Sequence, residues 1–159
     1  MSYEKNLIQQ LIASGKTIAT AESCTGGLVG KLLTDISGSS AAYLGGVVCY
    51  SNLVKNEVLG VPQKMLDTYG AVSRQVAAAM AEGVKKLIGA DIAVSITGIA
   101  GPKSDDTKKP VGLVYIGVTD GRITQVNEYF FSGDRQKNRL SAAQTAMNNA
   151  CCFLLQKKV

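Results

Sequence analysis

Apolar and polar residues alternate along the chain with two different periods, one typical of helices and one typical of strands. Apolar positions at helical spacing predict an amphipathic helix over residues 2–14 that ends at Gly15. Further helices are expected from the pair Gly26–Gly27 to Ile36 and over 52–59, 63–69, 74–88 and 134–157. Strands are expected over 16–21, 43–50 and 91–98, followed by a hairpin of 113–121 and 123–131 that turns at Asp120–Gly121.

Four side chains make the helix predictions more specific. Ser51 and Ser73 are expected to cap the helices that follow them, because a serine hydroxyl accepts a hydrogen bond from a free N–H of the first turn. Leu87 is expected on the buried face of the helix over 74–88, and Leu140 on the buried face of the last helix.

Strands that alternate with helices indicate a three-layer α/β/α sandwich. The hairpin forces at least one antiparallel pair, so the sheet of about five strands is expected to be mixed, with most strands parallel. No internal repeat or break in composition divides the chain, and residues 1–159 are therefore predicted to form one domain.

Composition and the order of residues indicate a globular domain away from membranes. Hydrophobic residues make up 46% of the chain, which has only three prolines. No apolar run reaches the roughly 18–20 residues of a membrane span, and the polar N-terminal segment lacks the apolar core of a signal peptide. We therefore expect a cytoplasmic location and no membrane partner.

The basic residues that give the net charge of +5 are scattered along the sequence, and this argues against nucleic-acid binding. Such binding favours a basic stripe with interleaved aromatic residues, whereas only 6% of these residues are aromatic and none is Trp. A mild positive field suits a small anionic substrate such as a nucleotide. The four cysteines have no CxxC spacing and the chain has no histidine, so no metal site is expected.

Four polar segments fall at predicted strand ends or helix starts. They are AESCTGG (21–27), YSNLVK (50–55), SITGIAGP (95–102) and FSGDR (131–135). Ligands of open α/β folds bind beyond the carboxyl ends of parallel strands, so these segments are candidates for one common site.

The first of these segments contains three candidate nucleophiles, Ser23, Cys24 and Thr25. The N–H groups around Thr25, Gly26 and Gly27 are expected to be unpaired at a helix start, where they could hold an oxyanion or a phosphate. The alternative is structural: Ser23 or Thr25 caps the helix and the glycines form a tight turn.

The absence of histidine restricts the base that such a nucleophile could use. Serine–lysine pairs are an established alternative to serine–histidine, and Lys55, in the first turn of a predicted helix, is the best placed candidate. The helix dipole opposes its charge weakly, so burial or a neighbouring cation would have to lower its pKa further. Arg135, also at a helix start, is a candidate anion-binding residue, with an ordinary surface arginine as the alternative.

In these segments the sequence resembles the CinA C-terminal domain family, the bacterial nicotinamide mononucleotide deamidases. The matching pieces run in order from TAESCTGG and the YSN segment through GAVS, AVSITGIAGP and KPVG to FSGDR, and they cover almost the whole chain. The resemblance implies an αβα sandwich and a metal-free, cofactor-free Ser/Lys amidohydrolase. It further implies that nicotinamide mononucleotide plus water gives nicotinate mononucleotide plus ammonia, in a homodimer or larger assembly.

The resemblance also implies roles for particular residues. The family's nucleophile corresponds to Ser23 and its lysine to Lys55, while its tyrosine and arginine are placed at Tyr50 and Arg135. Substrate contacts are expected from the backbone of Thr25, Gly26 and Gly27 and from the loop that holds Thr97, Gly98 and Gly101. We also expect Arg135 to lie near Lys55 and to help lower its pKa.

Three alternatives remain open from the sequence. Cys24 instead of Ser23 could be the nucleophile, with the same base. The domain could instead be a non-catalytic nucleotide-binding or competence-related interaction module. Many family members carry an N-terminal domain that resembles molybdopterin-binding proteins, so this domain is either a stand-alone deamidase or part of a longer protein.

Overall fold

A computed structural model describes residues 1–156 and shows one five-stranded sheet. The strands are β1 (Ile18–Glu22), β2 (Tyr43–Val48), β3 (Ile92–Gly98), β4 (Leu113–Thr119) and β5 (Thr124–Phe130), in the order β2-β1-β3-β4-β5. β1 is parallel to both β2 and β3, whereas β4 is antiparallel to both β3 and β5. Four strands therefore share one direction, and the predicted mixed sheet with its closing hairpin is confirmed.

Six α-helices lie on the two faces of this sheet. They are α1 (Tyr3–Ser14), α2 (Leu28–Thr34), α3 (Asn52–Glu57), α4 (Gln63–Tyr69), α5 (Arg74–Ile88) and α6 (Arg135–Gln156), with a short 3₁₀ helix at Ser39–Ala41. α1 ends at Gly15 in a left-handed conformation, and the hydroxyls of Ser51 and Ser73 accept hydrogen bonds from first-turn N–H groups, as predicted. The predicted end of the last helix, Lys157, lies outside the described residues.

Alternate residues of the strands point into two separate cores, one on each face of the sheet, so the fold is a three-layer sandwich. Ile18 of β1 packs in the core that α1, α2 and α6 cover. Ala19 and Ala21 point the other way, into the core beneath α5 and α4. This period of two is what a sheet buried on both faces requires, and the predicted α/β/α architecture is confirmed.

Two predictions about buried leucines are wrong. Leu87 of α5 is 55% exposed and Leu140 of α6 is 42% exposed. In α6 the inward position is taken by Asn138, a buried residue whose side-chain amide donates to the carbonyl of Ala100 (3.1 Å). Leu140 lies two residues later, about 200° further round the helix, and therefore points outward.

The register of the parallel strands brings three segments together at one edge of the sheet. Glu22, the last residue of β1, pairs with Val48 of β2 and with Ile96 of β3. Ser23 and Cys49 directly follow two of these residues, and their N–H groups continue the ladders by donating to the carbonyls of Ile96 (3.0 Å) and Glu22 (2.8 Å).

The chain returns to this edge through a loop of residues 99–112, which is closed at Gly112. The N–H of Gly112 donates to the carbonyl of Ile99 (2.7 Å), and its carbonyl accepts from the N–H of Phe131 (2.9 Å). Gly112 has φ +91°, and a Cβ atom there would lie 1.8 Å from the Phe131 carbonyl oxygen. Only glycine fits this closure.

Gly112→Ala is expected to destabilise the protein much more than Gly38→Ala. Both glycines have positive φ, +91° and +85°, so both variants bear a backbone strain of about 1–2 kcal/mol. A Cβ at Gly38 meets nothing within 4 Å, whereas the one at Gly112 overlaps backbone. Urea unfolding should show an extra loss of about 2 kcal/mol or more for Gly112→Ala. Equal losses in the two variants would contradict this account of the loop closure.

Candidate active site

A pocket of about 270 Å³ opens beyond the carboxyl ends of β1, β2 and β3. Seven of the residues selected from the sequence line it, namely Ser23, Tyr50, Lys55, Thr97, Gly98, Gly101 and Arg135. The four polar sequence segments therefore do meet at one edge of the sheet. Thr25, Gly26 and Gly27 are not among the lining residues.

At the floor of the pocket, Lys55 is hydrogen-bonded to Ser23. The Lys55 Nζ lies 2.9 Å from the Ser23 Oγ, 2.7 Å from the carbonyl oxygen of Cys49 and 3.4 Å from that of Tyr50. The lysine is only 1% exposed and the serine 8% exposed. No acidic side chain is among these partners, so the amine is held by neutral dipoles alone.

Lys55 reaches this position from a helix that is shorter than predicted. α3 has six residues instead of the eight expected over 52–59, but it begins after the cap Ser51 as predicted, so Lys55 lies in its first turn and, because the helix is short, also in its last turn. A helix of six residues has few aligned peptide dipoles, so it opposes the charge of Lys55 only weakly. The short helix directs the side chain inward, below the carbonyls that end β2.

Burial lowers the pKa of Lys55 below its ordinary value of 10.5. Removal from water disfavours the charged ammonium, and the thiols of Cys49 and Cys24 oppose this effect to a smaller extent. Arg135 was expected to contribute, but its guanidinium is held at the rim by the carbonyl of Gly101 (2.7 Å) and the hydroxyl of Tyr50 (3.3 Å). The buried position of the amine, and not a neighbouring cation, accounts for the shift.

The contacts of Lys55 suit a neutral amine that accepts a proton from Ser23. Two N–H groups of the amine can donate to the carbonyls of Cys49 and Tyr50. The remaining lone pair then faces the Ser23 hydroxyl at 2.9 Å, which is within the distance that a general base requires. The geometry can therefore generate a serine nucleophile without histidine.

Cys24 is a poorer nucleophile in this setting, although it also lines the pocket. Burial raises the pKa of its thiol to about 11, so the reactive thiolate is scarce at neutral pH. The Lys55 amine is hydrogen-bonded to Ser23, and no hydrogen bond links it to Cys24 among the contacts of residues 1–156.

The turn that carries Ser23 is fixed by the carboxylate of Glu22, which is 2% exposed. It accepts hydrogen bonds from the hydroxyl of Thr25 (2.7 Å) and the N–H groups of Gly27 (3.0 Å), Val29 (3.1 Å) and Gly30 (2.9 Å). A carboxylate of the chain itself thus occupies the anion site at the start of α2.

This arrangement corrects the expectation that the glycine N–H groups are unpaired. The N–H of Gly27 is taken by Glu22, and that of Gly26 donates to the carbonyl of Ser23 (3.1 Å). Of the three N–H groups expected to be free, only that of Thr25 has no acceptor among the described residues. The glycines therefore shape the turn, with φ values of +61° for Gly26 and +99° for Gly27.

Arg139 supports the same turn through its carbonyl groups and was missed from the sequence. Its Nε donates to the carbonyl of Cys24 (3.1 Å) and its Nη2 to the carbonyl of Thr25 (2.9 Å). Arg139 lies one helical turn after Arg135 on α6. This i, i+4 spacing places both side chains on one face of the helix, and it is the pattern that could have indicated a second functional arginine.

The outer walls of the pocket also contain residues that sequence reasoning did not select. The loop after β3 contributes Lys103, Ser104 and Asp105, and the segment before α5 contributes Ala71 and Val72. The Thr97 hydroxyl, at the end of β3, donates to the carbonyl of Ala71 (2.8 Å). Thr97 therefore connects the sheet to a wall of the pocket.

The part of the chain that the structure describes offers no candidate for a metal site or for a membrane-spanning helix. Residues 1–156 contain no group of three or more His, Cys, Asp or Glu side chains that could bind a metal ion. None of their helices is both long and apolar enough to span a membrane.

Comparisons with known proteins agree on one family. The family model described as "CinA C-terminal domain" matches residues 1–154. The chain is 52% identical over 135 residues to a CinA-like protein of Geotalea uraniireducens, which covers 85% of the chain and 32% of that protein. It is 48% identical over 153 residues to a CinA-like protein of Syntrophomonas wolfei, covering 93% of the chain and 37% of that protein. The chain thus spans about a third of the length of these relatives.

Solved structures show the same fold over nearly the whole chain. The CinA superfamily protein of Klebsiella pneumoniae superposes with a TM-score of 0.95 at 32% identity, covering 97% of this chain and 96% of that one. The competence/damage inducible protein CihA of Agrobacterium tumefaciens superposes with a TM-score of 0.91 at 39% identity, covering 94% and 92%.

Lys55→Met is expected to change the pH dependence of stability in one direction. Between the lowered pKa of folded Lys55 and 10.5, the unfolded chain keeps a proton that the folded chain has lost, so wild-type stability rises with pH there. Relative to Lys55→Met, the wild type should gain up to about 1.4 kcal/mol per pH unit in this window.

Denaturant unfolding of both proteins from neutral pH to 10.5 measures this gain. Lys64→Met, at an exposed position of α4, is the matched control and should show no such trend. A stability difference between Lys55→Met and wild type that does not change with pH would contradict the lowered pKa.

Proposed function

The chain belongs to the CinA C-terminal domain family, and from this premise we propose that it is an amidohydrolase acting on nicotinamide mononucleotide. The products are nicotinate mononucleotide and ammonia, and the reaction belongs to the recycling of pyridine nucleotides. The observation that carries the proposal is the 2.9 Å contact between the buried Lys55 amine and the Ser23 hydroxyl at the floor of a pocket.

In the first half of the proposed reaction, Ser23 Oγ attacks the carboxamide carbon while neutral Lys55 takes the hydroxyl proton. The C–O bond forms as the carbonyl π bond opens to an oxyanion, and the Lys55 ammonium then gives its proton to the amide nitrogen. The C–N bond breaks, ammonia leaves, and an ester of Ser23 remains.

In the second half, water hydrolyses this ester with Lys55 again as the base. Lys55 accepts a proton from the water as its oxygen attacks the ester carbon, and returns it to Ser23 Oγ as the C–O bond to the serine breaks. The enzyme regains a neutral amine and a serine hydroxyl, and the acid product is released. One residue can serve as acid and base because its pKa is lowered by burial.

The remaining residues of the site bind and orient the substrate in this proposal. The N–H groups of Cys24, which lines the pocket, and of Thr25, which does not, have no carbonyl or carboxylate acceptor within residues 1–156, and they are the donors of the Ser23 turn that remain for the oxyanion. Arg135 and the backbone of Thr97, Gly98 and Gly101 hold the ribose phosphate at the rim, and Tyr50 orients Arg135 through their 3.3 Å contact. The pocket wall requires glycine at 98 and 101, where an added Cβ would lie 2.7 Å and 2.6 Å from valine side chains.

The proposal extends to the assembly and location of the protein. We propose a homo-oligomer, a dimer or larger, that acts in the cytoplasm on a small nucleotide and binds neither nucleic acid nor membranes. Support for self-association comes from the edge strand β2, where Leu44 is 47% and Val48 is 50% exposed. An edge strand has one row of unpaired backbone groups, and exposed apolar side chains beside that row favour association with another chain.

Ser23→Ala should abolish ammonia release from nicotinamide mononucleotide, measured with no added metal. Loss of the nucleophile is expected to cost at least about a thousandfold in kcat. Cys24→Ala is the matched control, since it removes the neighbouring thiol of the same turn, and it should keep activity of the same order as wild type.

Two other results would each lead to a different conclusion. An inactive Cys24→Ala with an active Ser23→Ala would make the cysteine the nucleophile. Binding of the mononucleotide by clean wild-type protein without any turnover would favour a nucleotide-binding module over an enzyme.

The pH profile of kcat/KM should follow the protonation of Lys55. Activity is expected to rise with pH with a slope of one, because only the neutral amine can act as base, and to level off at a pH below 10.5. Lys55→Arg should have no measurable activity at any pH, since a guanidinium does not lose its proton. An activity that is constant or falls over this range would exclude Lys55 as the base.

A further inference from the structure

The polar loop after β3 forms one wall of the pocket but has few connections to the rest of the fold. Residues 102–108 are all exposed. Their hydrogen bonds stay inside the loop: the Ser104 hydroxyl donates to the carbonyl of Lys109 (2.6 Å), and the Thr107 N–H donates to Asp105 Oδ1 (3.0 Å). The local shape of the loop is therefore defined, but these bonds do not fix where it lies.

The side chain of Lys109 supplies the connection that these bonds lack. Its Nζ donates to the carbonyl of Tyr69 (2.8 Å) and to the carbonyl of Val72. Among the described residues, these are the only hydrogen bonds between residues 102–109 and the chain outside the loop. Tyr69 is the last residue of α4, where a cation is favoured by the helix dipole.

Lys109 thereby joins two walls of the pocket. Val72 lines the pocket in the segment before α5, and the carbonyl of its neighbour Ala71 accepts a hydrogen bond from the Thr97 hydroxyl at the end of β3. Residues 69–72 thus accept the hydrogen bonds of Lys109 from the loop and the hydrogen bond of Thr97 from the sheet, and they set the position of the loop. Gly70, with φ +77°, turns the chain between the two acceptor residues.

The loop presents one unpaired cation to the pocket. Lys103 lines the pocket together with Arg135 and has no hydrogen-bond or ion-pair partner within residues 1–156. Asp105 also lines the pocket, but its carboxylate accepts hydrogen bonds from the N–H and hydroxyl of Thr107. The rim therefore offers a phosphate two basic side chains, Arg135 of α6 and Lys103 of the loop, with the carboxylate of Asp105 in the same lining.

We propose that Lys109 is a positioning residue that fixes the loop so that Lys103 faces the phosphate of the substrate. This inference rests on the proposed function for its substrate, but the position of the loop can be measured without turnover. Lys109 does not touch the substrate, so its loss should weaken binding of the phosphate and leave the chemistry at Ser23 intact.

The test compares Lys109→Met with Lys108→Met, its exposed neighbour in the same loop. In the ligand-free protein, Lys109→Met should increase amide hydrogen exchange at residues 103–109, while the melting temperature stays close to that of wild type. With nicotinamide mononucleotide it should raise KM on the order of tenfold and change kcat by less than about twofold. Lys108→Met should change none of these values.

A phosphate-free substrate and a conservative variant separate positioning from general damage. KM for nicotinamide riboside, which lacks the phosphate, should be nearly the same in Lys109→Met and wild type. Lys109→Arg should recover most of the affinity for the mononucleotide, since a guanidinium can also donate to two carbonyls.

Three results would overturn the proposal: unchanged exchange in Lys109→Met, a fall in kcat with KM unchanged, or equal effects in Lys108→Met. If wild type shows no turnover, the proposed function fails, and the dissociation constant of the mononucleotide replaces KM. If wild type also fails to bind it, the part of the proposal that concerns phosphate fails as well. The exchange comparison still decides whether Lys109 fixes the loop.

Discussion

The burial of one amine organises the functional edge of this fold. Lys55 is 1% exposed and has no acidic partner within residues 1–156, so its polar atoms must be satisfied by dipoles that the chain brings to it. Its partners are the carbonyls that follow β2 and the hydroxyl that follows β1. They can meet there only because β1 and β2 are parallel neighbours whose register aligns Glu22 with Val48. Strand order, the short helix α3 and the position of Ser23 are all tied to this one requirement.

The Ser23 turn is held by a second set of charges that never enters the pocket. Glu22 accepts the hydrogen bonds that a bound anion would otherwise accept at the start of α2, and Arg139 donates to the carbonyls of Cys24 and Thr25. An acidic and a basic side chain thus fix the turn, the first through its N–H groups and the second through its carbonyls. Rigid support of this kind keeps the Ser23 hydroxyl within the narrow geometry that the proposed proton transfer requires.

Sequence reasoning could predict most of the fold because the strands and helices have clear periodicity and serine or glycine ends. It also brought the four polar segments to one edge, since that step needs only the rule for parallel strands.

Sequence reasoning failed where the outcome depends on tertiary contacts. Gly26 and Gly27 were expected to offer free N–H groups, but Glu22, a neighbour on β1, points back to take one of them. Leu140 fits a helical stripe, yet Asn138 occupies the buried position to bond Ala100. Lys109 and Arg139 act through carbonyls of distant residues, and the local sequence does not specify these partners, although the i, i+4 spacing after Arg135 singles out Arg139.

The distribution of charge explains why a serine and a lysine suit this pocket better than a thiolate pair. The floor, formed by Ser23, Cys24 and Lys55, is buried, and burial disfavours every charged form: it lowers the pKa of the amine and raises that of the Cys24 thiol to about 11. A thiolate–ammonium pair would need two buried charges before the reaction begins. A hydroxyl and a neutral amine need none, and charge develops only as the proton moves. The two basic side chains that can hold a phosphate, Arg135 and Lys103, lie at the exposed rim. The proposed proton transfer at the floor and anion binding at the rim require opposite surroundings, and one pocket at the end of the parallel strands provides both.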